Sequence, residues 1–218
     1  MAAPDQPGQR QGPGPVVRRI GRAINGVVVR MPVLWPLLRR PVTRFFDSVA
    51  GGWDQRIQPE SFERLRPLQT ALEAVERSPV RALEIGTGTG AGAFFLAERF
   101  PEAEILAVDI APKMIELARA KQATRNVPNL RFEVADAADL PPGKSFDLVL
   151  MLNMPPFFDQ IGKLLGPGGN VVHISSLGAR TPFYTPSKTL RKRFARHGVR
   201  TVRTGIVGEG TYFVGERE

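Results

Sequence analysis

The sequence predicts an α/β chain: a doubly wound, mostly parallel seven-stranded sheet ending in an antiparallel hairpin, preceded by a helical extension. Three observations carry this. From Val80 onward, short apolar runs alternate with helical windows, the pattern of a parallel sheet with right-handed crossovers and helices on both faces. The runs at 146–152 and 170–175 are apolar at nearly every position, as central strands buried on both faces are. Two further runs, 199–207 and 211–214, are separated by Gly208-Glu209-Gly210, a hairpin signal.

Taken in order, residues 1–15 are rich in Pro, Gly and Gln and read as a disordered tail. Apolar residues then recur at Val17, Ile20, Ile24, Val27, Val28 and Met31 with arginines between them, which predicts a basic amphipathic helix over 16–31. Pro32, Pro36 and Pro41 are expected to cut the following chain into short pieces. Leu65, Leu68, Ala71, Leu72 and Val75 predict a helix over 61–77 with Ser61 as its N-cap. Strands are expected at 81–85, 104–109, 130–134, 146–152 and 170–175. Helices are expected at about 91–100, 112–125, 157–165 and 186–197. The division that follows is an extension over 16–60, a lid or surface element, and one domain over 61–218.

Composition narrows the chemistry. The chain has 218 residues, 42% hydrophobic and 23% charged, a globular balance. It contains no cysteine, which excludes disulfides, cysteine nucleophiles and thiolate metal sites, and fits a reducing compartment. No apolar run reaches the length of a spanning helix, and Pro4, Pro7, Pro13 and Pro15 break up any signal-peptide layout. The net charge of +9 is unevenly spread. Arg10 to Arg44 holds eight arginines and no acid, and Gln160 to Gly208 holds nine Lys/Arg and no acid. Such blocks attract anionic surfaces or simply form a solvated face. The expected location is the cytoplasm. Residues 16–44 are expected either to attach peripherally to an anionic membrane, with Trp35 at its boundary, or to pack on the domain as a lid.

The functional signal is the run Leu83-Glu84-Ile85-Gly86-Thr87-Gly88-Thr89-Gly90. A strand, a glycine-rich turn and a helix present free backbone N–H groups to a ligand. Gly88-x-Gly90-x-x-Ala93 fits a loose dinucleotide pattern, but no Gly-Lys-Ser/Thr follows to make a phosphate loop. Glu84 opposes a phosphate here: two like charges about 5 Å apart repel by about 3 kcal/mol at an effective dielectric near 20. It favours a ligand carrying an ammonium or sulfonium group. Asp109, ending the second apolar run, suits two ribose hydroxyls. Asp136, just after the third run, suits an adenine amino edge in preference to a turn cap.

With these residues in place, the chain resembles the class I S-adenosylmethionine-dependent methyltransferases, which share a Rossmann-like fold. The match rests on Leu83–Gly90, Val108-Asp109-Ile110-Ala111-Pro112-Lys113-Met114, Ala135-Asp136-Ala137-Ala138-Asp139-Leu140-Pro141 and Leu164-Leu165-Gly166-Pro167-Gly168-Gly169. Ser145-Phe146-Asp147-Leu148-Val149 fits the family's fourth strand. The resemblance implies that S-adenosylmethionine is bound. Glu84 would lie under its methionine end, with Gly86, Thr87, Gly88 and Gly90 letting the backbone approach. Asp109 would hold the ribose, Ile110 and Met114 would pack on the adenine, and Asp136 and Ala137 would read its edge. Asn153 would lie by the methyl donor. Upstream, Phe45-Phe46-Asp47-Ser48-Val49-Ala50-Gly51-Gly52-Trp53-Asp54 resembles the cofactor-covering segment of ubiquinone/menaquinone-type methyltransferases. Trp53 then belongs to a lid or is an aromatic anchor of the extension.

The acceptor side is less defined. Asn153-Met154-Pro155-Pro156-Phe157 resembles the Asn-Pro-Pro-Tyr/Phe motif of amide- and adenine-N methyltransferases, with Met154 inserted. Pro155, Pro156 and Phe157 read as a rigid apolar pocket wall or as a helix start. No catalytic side chain is required, because in-line methyl transfer depends on positioning and water exclusion. Asn153, Tyr184 and His173 are weak candidates, with packing favoured for the last two. No metal is expected. The leading reading is methyl transfer to a small apolar or lipid-like acceptor. Alternatives are a nucleic-acid methyltransferase using the basic helix with Lys188, Arg191 and Lys192, and a non-enzymatic cofactor-binding scaffold. Oligomeric state is not readable.

Overall fold

The computed structural model describes residues 15–141 and 145–218. Apart from Pro15, the stretch expected to be a disordered tail lies outside the described residues. Strands β1 (Arg81–Ile85), β2 (Glu104–Asp109), β3 (Leu130–Val134), β4 (Phe146–Leu152), β5 (Leu165–Ser175), β6 (Val199–Val207) and β7 (Gly210–Arg217) form one sheet in the order β3-β2-β1-β4-β5-β7-β6. The first five are parallel, and β7 runs antiparallel to both β5 and β6.

The two-residue period of the strands sorts the core into two layers. Ala82, Ile105, Leu148, Leu150 and Val172 face one way. They pack on α4 (Phe62–Leu72), α5 (Ala91–Arg99) and α6 (Pro112–Gln122). Leu83, Ile85, Val149, Met151 and Val171 face the other way, onto α7 (Phe158–Leu164) and α8 (Ser187–Ala195). The extension joins this second layer. Its helices α1 (Pro15–Arg30) and α2 (Trp35–Val49) contribute Val28, Val29, Trp35 and Val42, all buried. A short α3 (Trp53–Ile57) follows.

Three expectations are corrected. The prolines do not fragment the extension, because α2 is continuous from Trp35 to Val49. Pro36 occupies its first turn, where no N–H is needed, and Pro32 sits in a 3-10 turn. Pro41 lies in the interior, where it deprives the Leu37 carbonyl of its partner; Leu37 is exposed, which leaves that carbonyl on the wet side. The second correction concerns α4. It stops at Leu72, and Ser61 stands at its N-cap position without a side-chain capping bond. The third concerns β5, which begins at Leu165 rather than at residue 170. Leu165 pairs with Phe146 ahead of a register shift, so the Gly-Pro-Gly-Gly stretch is an irregular start of the strand and not a loop before it.

Candidate functional site

The strand order reverses direction between β1 and β4, and open α/β sheets bind ligands at the carboxyl ends of strands at such a point. A cavity opens there. Its floor is the Gly86–Thr89 turn with Asp109, Ile110, Met114, Asp136 and Ala137, and its roof comes from the extension. The empty space, including the open mouth, is about 1310 Å³.

The turn is held open from below. Gly86 and Thr87 donate to the Val108 carbonyl at 2.8 and 3.0 Å. Gly88 donates to Oδ2 of Asp109 at 2.8 Å, and Ala111 donates to Oδ1 at 2.9 Å. Asp109 thus welds the ends of β1 and β2 together while facing the cavity. Two glycines are required by geometry. Gly86 has φ +71°, and a Cβ there would come 2.7 Å from the Met154 sulfur. Gly88 has φ +54° and open space beyond it, which leaves bare backbone at the floor.

Glu84 is fully buried. Its Oε2 accepts from the Thr87 hydroxyl at 2.5 Å, and the Ala93 N–H at the start of α5 also bonds it. Burial pushes its carboxyl up from 4.5 to about 8, against the lowering effect of these two hydrogen bonds. Burial also raises Asp109, opposed by the Ala111 and Gly88 N–H groups. Burial thus raises both carboxyls beside these glycine N–H groups, which favours their protonated forms while no opposite charge is near. Gly92, which sequence reasoning missed, makes this possible: a Cβ at that position would collide with Oε1 of Glu84.

Asp136 is already engaged. Nε1 of Trp35 lies 2.9 Å from each carboxylate oxygen, and Ala138 N donates to Oδ1 at 2.9 Å. Arg39 stands 3.7 Å from Asp136 and pairs with Asp139 at 2.8 Å. The expected placement of Trp35 at a membrane boundary is therefore wrong. Its ring is buried and meets Phe157 edge-to-face at 5.2 Å. Both acids of the Phe-Asp…Trp-Asp segment also dock on the domain. Asp47 accepts from Lys113 N at 3.0 Å, at the start of α6, and Asp54 accepts from the Thr89 hydroxyl at 2.6 Å. The acids of that segment tie the extension to the glycine turn and to α6, a role that the sequence signals only through their place in the segment.

The far half of the cavity is apolar, with Ile24, Val42, Phe46, Trp53, Pro155 and Phe183 among its lining. Trp53 packs on Phe46 at 5.8 Å. Asn153 lines the cavity in a left-handed conformation, φ +56°, which asparagine tolerates better than most residues. Its Oδ1 accepts from the backbone N and the hydroxyl of Ser176 at 2.7 and 3.0 Å. The side-chain oxygen therefore ties the loop after β4 to the loop after β5, and a grip on a planar amino group is not built from it.

Other expected residues fall outside the cavity. Gly90 caps α5, Pro156 is buried behind the wall that Pro155 and Phe157 form, and α7 starts only at Phe158. Tyr184 does not line the cavity, its carbonyl accepting from Asn25 at 3.0 Å, and the neighbouring Phe183 lines it instead. His173 is buried in β5, where burial lowers its ring to about 4, and Nε2 donates to the Met154 carbonyl at 3.1 Å. It is a neutral brace for the loop after β4.

Residues 82–169 match the family described as a methyltransferase domain. The chain is 36% identical over 141 residues to a demethylmenaquinone methyltransferase of Deinococcus radiodurans, covering 60% of this chain and 58% of that protein. It is 40% identical over 137 residues to the Thermus thermophilus protein of the same name, covering 58% and 62%. The chain thus spans about three fifths of the length of these curated relatives. Among solved structures, the SAM-bound magnesium protoporphyrin IX methyltransferase of Synechocystis superposes with a TM-score of 0.66 at 17% identity, covering 83% of this chain and 97% of that one. At that identity the likeness concerns the fold.

Proposed function

We propose that the chain, whose residues 82–169 match a methyltransferase domain and which is similar to demethylmenaquinone methyltransferases, is a class I S-adenosylmethionine-dependent methyltransferase that transfers a methyl group to a small, apolar or lipid-like acceptor. The observation that carries the donor side is the buried Glu84–Thr87 pair beneath three left-handed glycines, with Asp109 at the end of the next strand. The residues present fit the cofactor. Bare backbone at Gly88 leaves room for a chain to lie against it, and Glu84 gives a carboxylate to an ammonium. The Asp109 carboxylate, although it accepts two N–H bonds, retains lone pairs for ribose hydroxyls. Asp136 accepts from an adenine amino group in place of, or beside, the Trp35 N–H.

When bound, the cofactor supplies an electrophilic methyl on a sulfonium. The chain's own residues orient, desolvate and exclude. Glu84 ionises against the incoming positive charge, which localises it at the end of β1. The aromatic and aliphatic roof keeps water from the reacting face. No histidine borders the cavity among the described residues, so acceptors that need no early deprotonation by a neighbouring imidazole suit it best. An apolar acceptor, such as the demethylmenaquinone in the relatives' name, would suit the apolar lining. The basic helix α8 does not border the cavity, which gives a nucleic-acid acceptor less support.

Calorimetry with S-adenosylmethionine and S-adenosylhomocysteine tests the donor side; absence of binding by both at millimolar concentration contradicts it. Incubating a metabolite extract with methyl-labelled donor tests the acceptor class. Label recovered in the organic phase supports the apolar reading, and label confined to water-soluble or RNA products contradicts it.

A further inference from the structure

We propose that the corner between α1 and α2 docks on an anionic lipid surface. Of the twelve large apolar side chains exposed among the described residues, eight lie between Val16 and Phe45. The most exposed sit at the corner itself: Val33 is 81% and Leu37 73% exposed, with Met31 and Leu34 beside them. A sequence-local cluster of this kind, on a segment that also has a fully buried inner face, is unlike the scattered apolar residues of an ordinary surface.

The occupant is set by charge. Arg19, Arg30, Arg40 and Arg44 are exposed and take part in no ion pair among the described residues. No acid lies between Arg10 and Arg44 to neutralise them. Arg40, Thr43 and Arg44 also line a shallow groove along α2, together with Arg39, Ile110 and Asp136. Arg39 is paired with Asp136 and Asp139, which leaves Arg40 and Arg44 as the cations available to a headgroup phosphate. Apolar side chains at a tip with arginines one turn behind match the depth profile of a lipid interface, where acyl chains lie below headgroup phosphates. No helix of the described residues is long and apolar enough to cross a membrane, so the contact is with the surface.

The corner is also coupled to the cavity. Trp35, between Val33 and Leu37, points inward onto Asp136, and Ile24 and Val42 on the inner faces of the same helices line the roof. An apolar acceptor leaving the lipid would meet the roof directly. This consequence rests on the acceptor reading above; the docking itself is measured without methyl transfer.

The test is co-sedimentation of the full chain with vesicles of equal parts phosphatidylglycerol and phosphatidylcholine, or of phosphatidylcholine alone. The chain should pellet about tenfold more with the anionic vesicles at moderate salt, and high salt should release it. Val33→Asp/Leu37→Asp should cut pelleting about tenfold while leaving S-adenosylhomocysteine affinity unchanged, and Arg40→Glu/Arg44→Glu should abolish the preference for phosphatidylglycerol. Equal pelleting of the Asp variant and the unmodified chain, or no pelleting by the latter, overturns the proposal. So does a dimer that the Asp variant dissociates, or retention on RNA without binding to vesicles. Absence of S-adenosylhomocysteine binding by the unmodified chain would instead count against the methyltransferase reading.

Discussion

The two halves of the cavity are built by different means. The floor, at the ends of β1 to β3, is made of backbone N–H groups and three acids, each fixed by a hydrogen bond from a residue close in sequence or on the adjacent strand. The roof is made of apolar side chains from the extension and from the loops after β4 and β5, held by contacts between residues far apart in the chain. Trp35 reaches Asp136 across 101 positions, and Asn25 reaches Thr185 across 160. On the proposed function, charge and backbone would select the donor, and shape and apolarity the acceptor. Substitutions in the floor should therefore act on cofactor affinity, and those in the roof on the acceptor.

The largest effect is expected at Asp109. Asp109→Ala removes a carboxylate and orphans the N–H groups of Gly88 and Ala111, so cofactor affinity should fall by at least about 100-fold, with about 1–3 kcal/mol of stability lost as well. Calorimetry and thermal melts check both, and Asp109→Asn should recover part of the stability but little of the affinity. A smaller and opposite pattern is expected in the roof. Trp53→Ala and Phe183→Ala should raise the acceptor KM by about tenfold, the value of one lost aromatic contact of about 1.5 kcal/mol, with cofactor Kd unchanged. Equal losses in both constants would erase the distinction between floor and roof.

Trp35→Phe keeps an aromatic ring beside Phe157 and removes the N–H that occupies Asp136, together with part of the buried indole. Cofactor binding should tighten by a few-fold, about 1 kcal/mol at most, as read by calorimetry. Unchanged or weaker binding would mean that Trp35 supports the adenine edge rather than competing with it. The smallest functional effect belongs to His173. With its ring lowered to about 4, it is neutral across the working range. His173→Asn should leave the pH profile of kcat unmoved while lowering the melting temperature.

The same contrast explains what the sequence reveals. The sheet is legible because its strands are apolar runs punctuated by glycine, and its parallel pairing follows from the alternation with helices. The floor is legible because Glu84, Asp109 and Asp136 stand at strand ends, which periodicity locates to within a residue. The extension is harder to read. Its prolines signal breaks, yet first-turn and solvent-side positions tolerate them, and α2 is continuous. Trp35 looks like an interfacial aromatic because nothing local shows that its N–H has a partner. Tyr184 and Phe183 differ by one position in a loop without periodicity, so side-chain direction there is set by tertiary packing alone.

Glu84 carries the central claim, that the floor becomes charged in response to a cationic ligand. Its folded value of about 8 lies above the ordinary 4.5. Between those pH values the folded chain holds a proton that the unfolded chain has released, so the ligand-free chain loses stability as pH rises across this window. A bound ammonium reverses the preference and expels the proton. The direct measurement is calorimetry of S-adenosylmethionine binding at pH 7 in buffers of different ionisation enthalpy. About one proton should be released per cofactor bound, affinity should rise toward pH 8, and Glu84→Gln should abolish both effects. Binding with no proton release, or release that persists in Glu84→Gln, would contradict the account.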